Sequence, residues 1–372
     1  MKLTLQLKLL PTDVQGNALL DTMRRFNEAA SYAAKVGFEA GVFSKPSIQK
    51  LCYQELRSRF GLSAQMAIRA IGKCVEAFAR DKTVCPVFRP YGAMTYDERI
   101  LSFKDCHRVS ILTVDLGRQL IAYVFGEYQA ANLNRIRGQA DLVYRDGMFF
   151  LYCTIQFEEP PPVQVNNFLG VDLGIVNIAT DSTGEAFSGE QVTRNRRRRT
   201  TARKQYQRKG TKSAKRRLKK MAGRQRRYQA HCNHVISKKL VAKAKTLGLG
   251  IALEDLSFIR DRVQDTVSKR FRRQLGNWGF SQLGLFVAYK AEREGIRLVL
   301  VNPRYTSQTR HVCGHREKAN RRSQAEFVCK QCGLSVNADE NAALNIQRLG
   351  RSVNRPQKQP PSSHGEQQSP RL

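Results

Sequence analysis

Three acidic residues of this sequence lie in or at the end of apolar segments, where an unpaired carboxylate is costly. Asp172 lies within the segment FLGVDLG, Glu254 ends the segment IALE, and Asp339 opens the last helical pattern. Carboxylates brought together repel each other unless a cation neutralises them, and Mg²⁺ or Mn²⁺ takes such oxygen ligands. Two ions about 4 Å apart can activate water and stabilise the leaving oxygen of a phosphodiester. The three acids predict metal-dependent phosphodiester hydrolysis, although each acid taken singly could equally cap a strand or a helix.

Three of the nine cysteines stand close together and have the spacing of metal ligands. Cys329 and Cys332 form a Cys-x-x-Cys pair followed by glycine, and Cys313 precedes them. Zinc in structural sites takes four sulfur or nitrogen ligands. We expect a structural Zn²⁺ on these cysteines with His315 as the fourth ligand and His311 as the alternative. Two other interpretations stay open, namely zinc held by three thiolates and a cluster that has lost its metal.

The elements that must position the acids are predicted by hydrophobic periodicity. Apolar runs predict a buried strand with Asp172 in its middle, flanked by Val171 and Leu173, a strand over Gly248–Glu254, and a helix over Asn337–Leu349. A further helix is expected over Trp278–Glu294. At the start of the chain, Lys2–Leu9 alternates apolar and polar residues and predicts a strand. Helices follow it, and then a β-rich region that we interpret as an antiparallel barrel or sandwich.

Local signals predict where several elements begin, turn or break. Thr12 and Gln15 have the spacing of a capping box before the first helix, and Asp146-Gly147 predicts a hairpin turn. Gly210-Thr211 predicts a break between two basic helices, and Asp181 is interpreted as a turn former. An apolar seam along the second of these helices is predicted at Leu218, Met221, Tyr228, Cys232 and Val235.

The chain is strongly basic, since its 372 residues carry 64 Lys and Arg against 31 Asp and Glu, a net charge of +33. Such a field attracts polyanions through counterion release, so nucleic acid is the expected partner. A membrane is not expected, because no run of 18 apolar residues exists. Residues 191–253 contain 22 Lys or Arg and no acidic residue, and they lie between two of the acids.

Two sets of side chains are predicted to contact nucleic acid. The basic segment 191–253 is expected to follow phosphates without reading sequence. Its predicted contacts are Arg197, Arg203, Lys204, Arg216, Arg217 and Lys220. A helix near residues 63–79 carries Gln65, Arg69 and Lys73 near helical spacing, and Gln and Arg commonly read base edges. For each residue alone, a solvated face or ordinary packing is the competing interpretation.

The motifs around the acids resemble those of one nuclease family. The segments FLGVDLGI from Phe168, IALEDL from Ile251 and NADENAALNI from Asn337 are similar to the three motifs of RuvC-like nucleases in the transposon-encoded TnpB family. The segments YKAE from Tyr289 and YTSQ from Tyr305 are also typical of it. The resemblance runs in order from residue 168 to 349, and the N-terminal half fits the family only in layout. In the family the cysteine pair has a Cys-x-x-Cys partner, whose first position here is Arg310.

The resemblance implies an α/β multidomain architecture with an RNase H-like (RuvC) nuclease domain. In the N-terminal half we expect residues 1–10 to be the first strand of a β wedge or barrel domain, 11–87 to be a helical recognition lobe, and 88–162 to be the rest of the antiparallel β wedge. Residues 163–304 are expected to form the nuclease domain, with a basic helical insertion over about 191–247. We expect a zinc-ribbon-like insertion that binds target nucleic acid over 305–336, the last nuclease helix over 337–350, and a disordered tail over 351–372.

By the same resemblance the protein is an RNA-guided DNA endonuclease. It would bind a guide RNA and cut guide-matched double-stranded DNA beside a short adjacent motif, using Asp172, Glu254 and Asp339. We expect a monomer in the RNA complex, in the prokaryotic cytosol on nucleoid DNA. The alternatives are an RNA-guided DNA-binding repressor without cleavage, which the intact acids disfavour, and a self-contained transposase that needs no guide.

Overall fold

The computed structural model describes residues 1–161, 163–256 and 279–353, and the chain forms two compact units, Met1–Glu158 and Glu159–Leu372. Each unit has a hydrophobic core of its own. Within the described residues, no helix has the length and apolar character needed to cross a membrane.

Unit 1 begins with a strand and continues as a group of helices. Its helices are α1 (Asp13–Glu39), α2 (Lys45–Ser58), α3 (Ala64–Arg80) and the short α4 (Glu127–Ala130). The sequence-predicted capping box is present, since Thr12 and Gln15 exchange side-chain to backbone hydrogen bonds at the start of α1. Small residues such as Ala30 and Ala34 are fully buried on α1 and allow close packing with the other helices.

A seven-stranded antiparallel sheet forms the rest of unit 1. Its strands are β1 (Lys2–Leu10), β2 (Met94–Tyr96), β3 (Leu101–Phe103), β4 (Arg108–Thr113), β5 (Gly117–Val124), β6 (Ile136–Arg145) and β7 (Met148–Gln156), in the order β2-β6-β7-β1-β5-β4-β3. The first strand lies at the centre of the sheet and buries Leu5, Leu7 and Leu9. Asp146 and Gly147 both have positive φ, as the predicted hairpin turn between β6 and β7 requires.

Unit 2 is built on a five-stranded mixed sheet. Its strands are β8 (Phe168–Asp172), β9 (Asn177–Asp181), β10 (Ala186–Ser188), β11 (Gly250–Glu254) and β12 (Leu298–Val301), in the order β10-β9-β8-β11-β12. The pairs β8–β9 and β9–β10 are antiparallel, whereas β8–β11 and β11–β12 are parallel. The two parallel pairs bring the carboxyl ends of β8 and β11 to the same edge.

Over residues 163–256 and 279–353, four helices accompany this sheet, namely α5 (Glu190–Lys209), α6 (Lys212–Thr246), α7 (Phe280–Arg293) and α8 (Ala338–Val353). The predicted break between α5 and α6 is present, because Gly210 adopts a left-handed conformation and Thr211 caps α6. The seam predicted along α6 is wrong at Val235, whose side chain is exposed. The buried face turns instead through Ile236 and Leu240 towards the sheet.

Residues 305–337 form a small two-stranded ribbon, with β13 (Glu326–Val328) paired to β14 (Ser335–Asn337). Helix α8 begins directly after β14 and continues to Val353, so the predicted tail begins later than residue 351. Two predictions fall outside the described residues, namely the start of the α7 helix at Trp278 and the disorder of residues 354–372.

Candidate active site and thiolate cluster

The fold of unit 2 brings the three predicted acids to one edge of the mixed sheet. Asp172 ends β8 and Glu254 ends β11, directly after the paired residues Val171 and Leu253 of these parallel strands. Asp339 lies in the first turn of α8, which packs across β8 and β11. Asp172 and Glu254 are half-buried and Asp339 is buried. The cluster is therefore assembled from three elements that are distant in sequence.

Electrostatics show that these carboxylates affect one another. Burial raises the pKa of Asp172 well above its usual range, and the nearby charges of Glu254 and Asp339 raise it further. Burial also raises the pKa of Glu254, against the opposing effects of a hydrogen bond from Thr306 and the charge of Arg321. Two raised carboxyl pKa values at one sheet edge are the signature of charges that a cation would stabilise.

Asp181 shows by contrast what a structural buried acid looks like in the same sheet. Its side chain is fully buried, which raises its pKa, but a hydrogen bond from Lys243 at 2.7 Å and bonds from Thr183 outweigh burial and lower it. It also accepts from the Thr183 and Glu185 backbone, as the turn former predicted from the sequence would. Its charge is paired with Lys243, whereas the ion pairs found within the described residues include none to Asp172 or Glu254.

Three neighbouring side chains fix the orientation of the acids. Thr306 Oγ1 donates to Glu254 Oε1 at 2.6 Å, and Asn177 Nδ2 donates to Asp339 Oδ2 at 3.1 Å. Arg321 reaches in from the ribbon, with its Nη2 3.2 Å from Asp339 Oδ1, and its charge lowers the pKa of both other acids. Such hydrogen bonds to ligand carboxylates tune a metal site.

The close approach of α8 to the sheet depends on two glycines. A Cβ at Gly170 of β8 would lie 2.1 Å from the carbonyl oxygen of Ala343, and one at Gly350 would lie 2.7 Å from the Cβ of Ala252. Both contacts are shorter than atoms tolerate. Glycine at these positions therefore allows α8 to lie against the strands, which sets the position of Asp339.

The acids fit hard divalent cations by the chemistry of their oxygens. Among residues 1–161, 163–256 and 279–353, the three carboxylates do not form a set whose ligand atoms all lie within 4.8 Å of one another. A site for two ions about 4 Å apart does not require this, because the acids can divide between the ions. Asp339 Oδ1 and Oδ2 already accept hydrogen bonds, but each carboxylate oxygen has a second lone pair for a metal.

The three clustered cysteines, in contrast, do form such a set. Cys313 Sγ lies 3.7 Å from Cys329 Sγ and 3.9 Å from Cys332 Sγ. A tetrahedral site with Zn–S bonds of about 2.3 Å has sulfur–sulfur edges of about 3.8 Å. The three thiols therefore occupy positions that fit three corners of a zinc tetrahedron.

Arg310 occupies the position of a fourth ligand in the fold of the ribbon. The turns 310–315 and 329–334 have the same backbone hydrogen bonds: Gly314 N to Arg310 O matches Gly333 N to Cys329 O, both at 2.9 Å. Both glycines have positive φ. Arg310 is 2% exposed and Cys329 is 1% exposed, so the guanidinium is buried where the repeat would place a thiol.

The structure does not bring either predicted histidine to the thiols. His315 Nε2 lies 3.2 Å from Glu317 Oε2, and His311 Nδ1 lies 3.0 Å from Asn341 Oδ1. The ligand set found among the described residues contains cysteines alone. The three clustered thiols, with Arg310 at the fourth position of the repeat, agree with the alternative of zinc held by three thiolates, and a histidine as the fourth ligand stays a prediction. A backbone hydrogen bond from Leu334 and a hydrogen bond with the Cys329 thiol are the main causes that lower the pKa of Cys332 to about 7, and the side chains of Cys313 and Arg310 add to them.

The predicted nucleic-acid contacts divide into two groups. Those on α5 and α6 are all exposed, as phosphate contacts need. They are Arg197, Arg203, Lys204, Arg216, Arg217 and Lys220. The predicted base readers on α3 are instead held within unit 1: Gln65 and Arg69 both bond Asp97, and Lys73 bonds Asn27. Burial lowers the pKa of Lys73 to about 8. These contacts give the α3 side chains a structural role, and base reading by them stays a prediction.

Sequence reasoning missed the residues that support the two clusters. Asn177 and Arg321 lie in no segment that the sequence analysis singled out, and Thr306 lies in the YTSQ segment, which does not by itself indicate an acid partner. Arg310 could have been assigned, because R-x-x-C-G and C-x-x-C-G align on Gly314 and Gly333. The signal for the others exists only in three dimensions.

Comparison with known families places each cluster within a matching segment. Residues 151–257 match the OrfB_IS605 model, described as "Probable transposase", and contain two of the acids. Residues 280–346 match the model "Cas12f1-like, TNB domain" and contain the third acid and the three clustered cysteines.

Two individual relatives are similar to this chain over part of its length. The chain is 30% identical over 241 residues to the CRISPR-associated endodeoxyribonuclease Cas12f1 of Sulfoacidibacillus thermotolerans, covering 59% of this chain and 54% of that protein. It is 35% identical over 136 residues to a TnpB-like protein of Methanocaldococcus jannaschii, covering 37% and 48%. The chain thus spans about half the length of these relatives.

A solved structure supports the fold over nearly the whole length. The mini-RNA-guided endonuclease CRISPR-Cas_phi3 superposes with a TM-score of 0.55 over 97% of this chain and 94% of that one. At 10% identity this likeness concerns the fold alone.

Proposed function

We propose that this chain, which is similar to TnpB-like and Cas12f proteins, is an RNA-guided DNA endonuclease with a metal-dependent, RNase H-like site. The observation that carries the proposal is the meeting of Asp172, Glu254 and Asp339 at one edge of the mixed sheet, with the pKa of two of them raised. The mixed sheet, with acids at the ends of its parallel strands β8 and β11, supports the RNase H-like fold that the motif resemblance implies.

The residues of the cluster have separate tasks in this proposal. The acids would hold Mg²⁺ or Mn²⁺, and the bound ions would activate water and stabilise the leaving oxygen. Asn177 and Thr306 keep two of the carboxylates oriented. Arg321 adds positive charge where the phosphodiester gathers negative charge in the transition state.

The exposed basic side chains of α5 and α6 would hold a guide–target heteroduplex by its phosphates. Base pairing with the guide then carries the sequence specificity, so these helices need no base contacts. A structural Zn²⁺ on Cys313, Cys329 and Cys332 would fix the two turns of the ribbon, from which Arg321 reaches the acids.

The test combines the co-purifying RNA with one acid variant. The full chain is purified with its RNA, the RNA is sequenced, and cleavage of DNA matched to that RNA is measured with Mg²⁺ and with EDTA. Asp172→Ala is expected to abolish cutting and retain DNA binding. Glu340→Gln, the acid next to Asp339 on α8, is the matched control and should cut normally. Normal cutting by Asp172→Ala would show that the acids are misassigned.

A self-contained transposase is the second candidate, and the description of the OrfB_IS605 model favours it. It would act through the same acids but without a guide. Ribonuclease treatment separates the two: RNA-guided cleavage is lost with the RNA, whereas transposase activity on DNA ends persists.

A further inference from the structure

A polar cavity of about 510 Å³ opens beside the acidic cluster in unit 2. Its lining includes Arg304, Tyr305, Thr306, Arg316, Asn345 and Arg348. Thr306 links the cavity to the acids, because it is one of the lining residues and its hydroxyl donates to Glu254 at 2.6 Å. A ligand in the cavity would therefore lie next to whatever occupies the carboxylate cluster.

The backbone of Tyr305 is strained at the wall of this cavity. Its φ of 69° lies in the left-handed region, which is unfavourable for a bulky side chain. The strain is held in place because its carbonyl oxygen accepts from Gln308 N, Thr309 N and Thr309 Oγ1. Asn345 Nδ2 also donates to the carbonyls of Thr306 and Thr309. Backbone strain that surrounding hydrogen bonds maintain is common at ligand clamps. The strain therefore indicates that the position of the Tyr305 ring has a function.

The ring of Tyr305 orders two guanidinium groups. Arg316 Cζ lies 4.2 Å and Arg304 Cζ 5.0 Å from the ring centroid, within the range of cation–π attraction. Arg348 contributes a third positive side chain to the same cavity. Within the part of the chain that the structure describes, none of the three arginines has a carboxylate within salt-bridge distance. Three positive side chains around one cavity favour the binding of an anion there.

We propose that these three arginines and Tyr305 form a phosphate clamp that binds one backbone phosphate of the DNA strand entering the carboxylate cluster. The proposal deepens the proposed nuclease function and rests on it. A planar guanidinium matches two phosphate oxygens at once, and two such groups fixed on one ring lose little freedom on binding. The clamp would hold the strand near the scissile phosphate, and Tyr305 acts as a positioning residue.

The test measures how single-stranded DNA binding depends on salt, using a labelled oligothymidine and the full chain. Each neutralised phosphate contributes about 0.7 to the slope of log K against log salt for a single strand. The Arg304→Ala/Arg316→Ala variant is expected to lower that slope by about 0.7. Lys318→Ala/Arg322→Ala, which removes the same charge from the ribbon outside the cavity, should leave a steeper slope than the clamp variant.

Variants of Tyr305 test positioning without changing net charge. Tyr305→Phe keeps the ring and should bind as the wild type does. Tyr305→Leu removes the ring's attraction and should weaken binding several-fold. Tyr305→Gly relieves the left-handed strain, so its thermal stability should be kept or raised while binding falls. Equal binding by Tyr305→Phe and Tyr305→Leu, or equal slopes for the two arginine pairs, would overturn the clamp.

Cleavage separates a failure of the clamp from a failure of the proposed function. With the co-purified RNA and matched DNA, the double arginine variant should need more DNA for half-maximal cutting and keep its rate at saturation within about two-fold, since uniform binding is lost. A wild type that binds as expected and never cuts contradicts the nuclease alone. A wild type that cuts, with unchanged half-saturation in the variant, contradicts the clamp alone.

Discussion

The charged forms of Asp172 and Glu254 are less stable in the folded chain than those of ordinary surface carboxylates. A carboxyl group whose pKa is raised by folding binds its proton more tightly in the folded state than in the unfolded one. Stability therefore falls as the pH rises from the unfolded value near 4 through the raised pKa, and the loss is complete at still higher pH. For Asp172 the cause is burial first, then the charges of Glu254 and Asp339.

Replacing Asp172 by Asn is predicted to raise the thermal stability of the metal-free protein at pH 8. The variant removes one of the repelling charges, and each kcal/mol gained raises Tm by about 2–4 °C in a domain of this size. The difference in Tm between the variant and the wild type should be smaller near pH 4, where the Asp172 carboxyl of the wild type is protonated. Thermal scans of both proteins in EDTA, at the two pH values, make the measurement.

Mg²⁺ should stabilise the wild type more than Asp172→Asn, the opposite of the order expected without metal. Ligand binding to the folded state alone adds about 2.7 kcal/mol at a hundred times Kd. We expect Mg²⁺ to raise the Tm of the wild type more at pH 8 than at pH 5, because protons compete for the raised carboxylates. Asp172→Asn should lose most of this rise. Equal Mg²⁺-induced shifts in the two proteins would contradict a metal site at Asp172.

At Arg310 a single residue decides how firmly the ribbon can hold zinc. The guanidinium lies where the repeated turn would place a thiolate, so three protein ligands remain. Arg310→Cys is predicted to restore a four-thiolate set. Its zinc should survive a chelator concentration roughly tenfold or more above that which strips the wild type, in line with the effect of single residues on metal sites.

The control variant places a cysteine elsewhere in the ribbon. Arg322→Cys removes the same charge from an exposed position that pairs with Glu326. Its zinc retention, measured by metal analysis after chelation, should equal that of the wild type. If Arg310→Cys retained no more zinc than the wild type, residue 310 would not face the metal.

At the scale of elements, the contact between α8 and β8 decides where Asp339 lies. Gly170→Ala is predicted to destabilise unit 2, because its Cβ would meet the backbone of Ala343 and Gln347 at 2.1–2.4 Å. Overpacking of this kind costs about 1–3 kcal/mol. The helix must move away from the strand, so cleavage should fall as well. Urea unfolding and the cleavage rate provide the two measurements.

Gly284→Ala on α7 is the matched control for that prediction. No atom lies within 4 Å of a Cβ at Gly284, and alanine is the better helix former by about 1 kcal/mol. This variant should be as stable as the wild type or more so, with unchanged cleavage. A loss of stability in both variants would point to a general effect of substituting glycine rather than to the α8 contact.

For the whole molecule, the net charge of +33 makes every nucleic-acid affinity depend on salt. Changing the six predicted phosphate-binding residues of α5 and α6 to Gln should reduce the slope of log K against log salt by about 0.9 for each duplex phosphate that is no longer neutralised. The same number of exposed charges removed from unit 1 should reduce it less, since they are spread over the helical region. The control positions are Lys35, Lys45, Lys50, Arg57, Arg80 and Lys82.

Titration of a guide–target heteroduplex from 50 to 200 mM salt, the range over which such slopes are commonly read, measures both variants. Equal slopes for the two six-residue variants would show that only total charge matters and that α5 and α6 form no specific channel.

The sequence by itself determined the features that depend on neighbouring residues. Alternation predicted β1, Thr12 and Gln15 predicted the start of α1, and Gly210 predicted the break between α5 and α6. The acids could be selected because a carboxylate at the end of an apolar strand is unusual, and the cysteines because their spacing is that of ligands. These signals need only the chemistry of short segments.

Tertiary structure alone decided which distant side chains meet. Thr306 reaches Glu254 across 52 positions and Asn177 reaches Asp339 across 162, so no local pattern could indicate either bond. His315, expected from the sequence as a zinc ligand, lies beside Glu317, and Arg310 takes the position in the first turn that Cys329 takes in the second. Local sequence fixes hydrogen bonds within a turn of chain, whereas long-range partners depend on how helices and strands pack.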